Sequence, residues 1–181
     1  MMAMVTTPNH SRSHLRRRCK DDDGQAMVEM VPVVLILLAL VFGVIDFGRA
    51  IMTRQIMVNV SREGANLASR GTSLSNALAA VVNSARPLDI NENGYVILTS
   101  VSRDSSGKAT IGDQQSVGGQ PIASRIGTGI GTTPVLPNDQ IPTTNQTLIA
   151  AEVFYQFVPI TPVGKLLGIG LAKPLYDAAY F

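Results

Sequence analysis

The chain has no tryptophan, a single cysteine and two histidines in 181 residues, and aromatics make up only 5 %. Cys19, His10 and His14 all fall within the first twenty residues, beside Arg12, Arg16, Arg17, Arg18 and Lys20. If that segment is a removable leader, the working chain has none of these side chains. Disulfides, thiol catalysis, histidine-based triads and zinc or copper sites are then excluded. Net basicity is also scarce outside this stretch. Five of the fifteen Lys and Arg residues and three of the thirteen acids lie in residues 1–24, so the formal +2 belongs to the leader and residues 25–181 sum to zero. A neutral body with no basic run offers no electrostatic footprint for nucleic acid and no polybasic stripe for a membrane surface.

What the chain does have is one long apolar run. Val31 to Ile45 carries no charge, and counting from Ala26 with Glu29 tolerated gives twenty residues. Twenty residues at 1.5 Å rise span roughly the 30 Å hydrocarbon layer of a bilayer. The preceding Arg/Lys cluster should stay cytoplasmic, which sends the C-terminal body across the membrane. A cleaved secretory signal would need small residues just after the run, but Gly43 to Ala50 reads GVIDFGRA, with Asp46 and Arg49 intruding. A buried core helix would not need the Arg cluster before it. A retained anchor over residues 25–48 is the reading adopted.

The junction between leader and anchor holds the sharpest pattern. Asp21-Asp22-Asp23-Gly24 precedes Gln25-Ala26-Met27-Val28-Glu29, so a cut between Gly24 and Gln25 would make Glu29 the fifth residue of the mature chain. An ionisable group this near hydrocarbon costs about 2.5–3.5 kcal/mol on insertion scales, which marks it as a functional candidate. The same cut would create an α-amino group one helical turn away, able to pair with Glu29 on its own chain or on a neighbour. The plainer alternative is a Glu29 that sits at headgroup level and is hydrated.

At these residues the chain resembles the prepilin class and, more narrowly, the TadE-like proteins of the tight-adherence (Flp) pilus assembly system. The basic leader, Gly24, Glu29 and the apolar helix carry the first part of the resemblance. Ser61 to Gly71, SREGANLASRG, carries the second, being similar to an Ala-Arg-x-Gly-Ala-Arg-x-Ala pattern of that family. Near the C-terminus, AEVFYQFVPITP is similar to the family's late aromatic strand ending in prolines. The resemblance implies a pilin-like fold and a minor pilin or pseudopilin role, with a prepilin peptidase trimming the leader. It also implies an inner-membrane assembly platform, an assembly ATPase, Flp pilin and related pseudopilins as partners.

Beyond the membrane the helical period continues over residues 49–71. Met52, Ile56, Val60, Gly64 and Leu67 or Ala68 recur every three or four residues, opposed by Asp46, Arg49 and Thr53, then Asn59, Glu63, Asn66 and Arg70. Small residues Ser61, Gly64, Ala65 and Ala68 allow close packing, against the chain's own sheet or another helix. Pro32 is expected to kink the helix and Gly71 to stop it. Thr72 or Ser73 can cap a second helix over Leu74–Ala85. Tyr95 to Ser102 reads as a strand returning through an Asp104–Gly107 turn into Lys108–Ile111. Residues 112–147, rich in Gly, Ser, Thr, Pro, Asn and Gln, read as a flexible surface loop. Leu148 to Val158 places Ile149, Ala151, Val153, Tyr155 and Phe157 on one strand face and Glu152 and Gln156 on the other. The tail 163–181 adds a short helix and an edge strand. The fold class expected is α+β, a long N-terminal helix carrying a small antiparallel head over residues 72–181.

Sites for chemistry are sparse. Asp89, Asn91 and Asn93 open a D-x-N-x-N-G calcium loop, but its twelfth position is Ser100 where a bidentate Glu would be needed; the other reading is an Asn-Gly turn. Gly127, Gly129 and Gly131 lack the Lys-Ser/Thr of a phosphate loop. No enzyme, cofactor or resident metal is read. The expected place is the inner membrane, N-terminus cytoplasmic and head outside. A membrane-anchored binding or sensor module is the alternative, and it would not require the Gly24/Glu29 register.

Overall fold

The computed structural model describes residues 15–137, 140, 142–166 and 173–181, with side chains from Gly24 onward. Leader residues 1–14, including His10 and His14, lie outside the described residues, as does 167–172 of the tail.

One helix, α1 (Leu15–Ser69), runs through leader, apolar run and amphipathic stretch without a break, and Pro32 lies inside it. Its end is set by local geometry. Gly71 takes φ +93°, its N–H bonds the carbonyl of Ala68, and the Thr72 N–H reaches back to Leu67. This paired closure satisfies the last carbonyls and needs a residue that tolerates the left-handed region. Ser73 then caps α2 (Leu74–Ser84) by accepting from the Asn76 N–H, and α2 buries Ala77, Leu78 and Val81. The Asp89 segment forms neither an open loop nor an Asn-Gly turn. It is a single helical turn, α3 (Ile90–Asn93), with Asp89 as its N-cap.

Four strands follow: β1 (Gly94–Arg103), β2 (Ala109–Gly118), β3 (Thr147–Tyr155) and β4 (Leu175–Tyr180), with a short helix α4 (Pro162–Leu166) before the last. They form one sheet in the order β2-β1-β3-β4, every pair antiparallel. The β1–β2 turn is stapled by Asp104 Oδ1, which accepts from the Ser106 and Lys108 N–H groups. A bulge between Ser100 and Val101 leaves Gly112 unpaired. The second strand of this hairpin is longer than Lys108–Ile111: residues 113–118 of the expected loop are ladder, beyond the bulged Gly112. Their Gly, Asp, Gln and Ser side chains suit the half-exposed edge of a sheet, where apolar alternation is not required.

The sheet has two buried faces. Val96, Leu98, Ile149, Ala151 and Val153 pack on α1 and α2 around Met57, Val60, Ala65 and Val81. The opposite face holds Ile97, Thr99, Ala150, Glu152 and Phe154, also buried. What covers it is residues 124–135 of the polar segment. Ile126 is buried against it, Val135 bonds back to Ile126, and Ile111 exchanges hydrogen bonds with Gly131 and Thr132. The segment expected to be a flexible surface loop is thus the lid of the second core, held by main-chain groups rather than by apolar bulk.

Candidate functional site

The first candidate lies at the start of the apolar helix. Gly24 stands in open space: a Cβ built there meets nothing within 4 Å. Packing therefore does not demand glycine at this position, although glycine costs a helix interior about 1 kcal/mol relative to alanine. Glu29 is exposed, and Gln25 Nε2 donates to its Oε1 at 3.1 Å. One turn of helix thus brings the side chains of Gln25 and Glu29 together, as i and i+4 positions must. From Gly24 to Ile45 the helix turns almost every side chain outward, and its most apolar stretch has no part buried in the head. This helix is long and apolar enough to cross a membrane, the single-pass feature expected of residues 25–48.

The second candidate, the small-residue stripe, is occupied by the protein itself. Ser61 is buried and donates to Asp177 Oδ2 of β4 at 2.5 Å and to the Val58 carbonyl at 3.0 Å. At Gly64 an added Cβ would come within 2.9 Å of Val81 Cγ2 and 3.3 Å of Leu98 Cδ2, so α1 approaches α2 and β1 as closely as only glycine permits. Ala65 and Ala68 complete the seam. From Ile56 onward the buried line of α1 is the one the periodicity expected, through Val60, Gly64 and Ala68; nearer the apolar run it departs. Asp46 and Thr53, assigned to the polar stripe, are buried, while Met52 is exposed.

Asp46 shows why. It is 5 % exposed, and its carboxylate is held from a segment 115 residues away: Oδ1 accepts from the Ile160 N–H at 3.1 Å and Oδ2 from the Thr161 hydroxyl at 2.5 Å. Thr161 Oγ1 in turn accepts from the Gly164 N–H at 3.0 Å. Gly164 is required here, since a Cβ would collide with Asp46 Oδ2. The first charged residue after the apolar run is thereby neutralised by donors and docked to the start of α4. Arg49, one turn on, lies over the ring of Phe157 at 5.9 Å.

A further site went unread in the sequence. Glu152, facing the sheet's outer side as its alternation requires, is fully buried rather than solvated. It accepts from the Ser124 hydroxyl, the Arg125 N–H at 2.9 Å and the Tyr176 hydroxyl at 3.1 Å. Ser124 Oγ also accepts from the N–H groups of Ile126 and Gly127. The Arg125 guanidinium lies 3.8 Å from the centre of the Tyr176 ring, a cation–π stack. Burial, with Glu152 beside it, pushes the Tyr176 phenol well above its usual range. Burial first, with the charges of Asp89 and Glu92 adding to it, raises Tyr155 against the opposing pull of Arg49. No local signal marks Ser124 and Arg125 as partners of a residue 28 and 27 positions later.

The calcium candidate is used structurally on at least one side: Asp89 Oδ1 accepts from the Glu92 N–H at 3.1 Å. Among the described residues, no group of three or more His, Cys, Asp or Glu side chains is placed to hold a metal ion.

Residues 24–66 match the family model described as TadE-like protein. The matched stretch runs from Gly24 through the apolar part of the helix and into the small-residue seam, and it agrees with the part of the resemblance carried by Gly24, Glu29 and the first half of Ser61–Gly71. No curated protein and no solved structure matches the chain significantly.

Proposed function

We propose that this chain is a minor pilin or pseudopilin of a tight-adherence (Flp) type IV pilus, trimmed by a prepilin peptidase between Gly24 and Gln25. The observation that carries the proposal is the start of the TadE-like match at Gly24, on an exposed apolar helix whose Glu29 is the fifth residue after the cut. The helix holds the mature protein in the inner membrane with the leader cytoplasmic, and the head stands outside. Glu29 then pairs with the new α-amino group, on its own chain or on a neighbouring subunit, as helices pack into the assembly. The platform and Flp pilin are the partners of that step. Energy for assembly comes from elsewhere, since the chain carries no nucleotide-binding motif. Intact mass of the protein taken from membranes tests the proposal: a mature chain beginning at Gln25 is expected, and one that still begins earlier refutes the processing.

A further inference from the structure

The end of the apolar helix and the segment after β3 are fastened together at Asp46, and this fixes where the head sits. Counting from Ala26, twenty residues at 1.5 Å bring the hydrocarbon boundary to Ile45, so Asp46 lies at its edge. The Ile160 and Thr161 N–H groups that hold Asp46 lie at the same level. Around this junction the head exposes apolar side chains among the described residues: Val158, Ile160 and, at 86 %, Leu166. They continue the exposed line of the helix itself, where Phe47 is 69 % exposed and Ile51 nearly half. The cations of this region are equally placed. Arg49 and Lys165 line one groove with Val158 and Ile160, and Arg54 lines the neighbouring groove with Phe47 and Ile51. The carboxylate among these grooves, Asp46, is already hydrogen-bonded.

We infer that this junction is a lipid-binding surface: Val158, Ile160 and Leu166 insert into the interfacial layer of the outer leaflet, and Arg49, Arg54 and Lys165 meet the phosphates. An apolar tip beneath a ring of basic side chains is the pattern that lies in the headgroup boundary, with long cationic side chains reaching to the polar layer. The occupant is the bilayer rather than another protein because the patch is continuous with the helix that enters it and is pinned at the level where that helix leaves it. The head therefore rests on the membrane instead of standing clear of it. This inference relies on the membrane-spanning reading of α1 but not on the pilus role.

The test uses the full chain with Cys19→Ser, reconstituted in vesicles of phosphatidylethanolamine and phosphatidylglycerol. A polarity-sensitive fluorophore is attached at Leu166→Cys, at Leu37→Cys in the helix, or at Ser105→Cys on the β1–β2 turn. That turn lies at the far end of the nine-residue β3, about 30 Å from the junction. A label at 166 is expected to emit at shorter wavelength than the label at 105 and to be quenched by a nitroxide placed near the lipid headgroup. A 166 label that behaves like the 105 label, with the 37 label still quenched by a deep-chain nitroxide, overturns the inference and leaves the anchor standing. A 166 label shifted in wavelength but untouched by lipid quenchers means a protein covers the patch and equally overturns it. Loss of quenching at 37 as well refutes the membrane span on which the inference rests.

Discussion

Replacing Glu152 separates two views of the segment after β2: a surface loop that merely lies near the sheet, or a lid fastened by one buried carboxylate. In Glu152→Ala three donors lose their acceptor, namely the Ser124 hydroxyl, the Arg125 N–H and the Tyr176 hydroxyl. Hydrogen bonds to a charged acceptor contribute about 1.5–3 kcal/mol each. Relief of the carboxylate's own burial offsets a good part of this, leaving a loss of about 3 kcal/mol. For a chain of this size that lowers the melting temperature by roughly 6–12 °C. Glu152→Gln keeps one acceptor oxygen for Arg125 and Tyr176. Its amide, however, points a donor at Ser124, whose oxygen already accepts two N–H groups, so about 1 kcal/mol is lost. Thermal melts of the full chain in detergent measure the series. Trypsin supplies a local readout, because the Arg125–Ile126 bond is shielded in the folded protein by the burial of Ile126. Cleavage there should be slow in the wild type, faster in Gln and fastest in Ala. Equal cleavage in wild type and Ala, or an Ala variant that melts with the wild type, would refute the fastening.

Gly64→Val forces a branched side chain between Val81 and Leu98 and should lower stability by about 2–3 kcal/mol, read by the same melts; an unchanged melting temperature would contradict the close approach described. Glu29→Ala should leave membrane insertion and leader removal intact while reducing piliation, measured by surface pilin yield, and normal piliation would dismiss its pairing with the new amine. The Asp104 carboxyl is held below its ordinary value of 3.8, first by the Ser106 hydroxyl and then by the Lys108 N–H. Its folded value lies below the unfolded one, so its stabilisation is present above about pH 4 and fades as pH falls further. The stability gap between wild type and Asp104→Asn should therefore shrink between pH 7 and pH 3 in urea titrations, and a gap that persists would contradict the turn.

What could be read in advance was what depends on near neighbours. The Gly71 stop, the Ser73 cap, the Asp104 turn and the inner face of β3 are decided within a few residues, and each appears in the structure where the pattern put it. The match over residues 24–66 agrees in the same way with a resemblance resting on adjacent residues. What escaped were polar residues satisfied from afar. Asp46 and Thr53 shifted the buried line of α1 because polarity in a sequence reads as exposure, yet Asp46 is desolvated against donors 114 and 115 positions on. Glu152 escaped for the same reason. Residues 113–118 escaped for another: an edge strand needs main-chain pairing on one side only, and its polar side chains leave no alternation to detect.

Because α1 is assigned as continuous helix from Gly24 to Ser69, the chain has no linker between the part in lipid and the part outside it. The angular phase of the head about the helix axis is consequently written in the residue count between Glu29 and Asp46, ahead of the point where the head is first fastened to the helix. One inserted residue would advance the head by about 1.5 Å and turn it by about 100°, and two would nearly reverse it. Spacing in this stretch is thus a compass bearing, and a length change that a flexible tether would absorb would here point the whole head at a different neighbour.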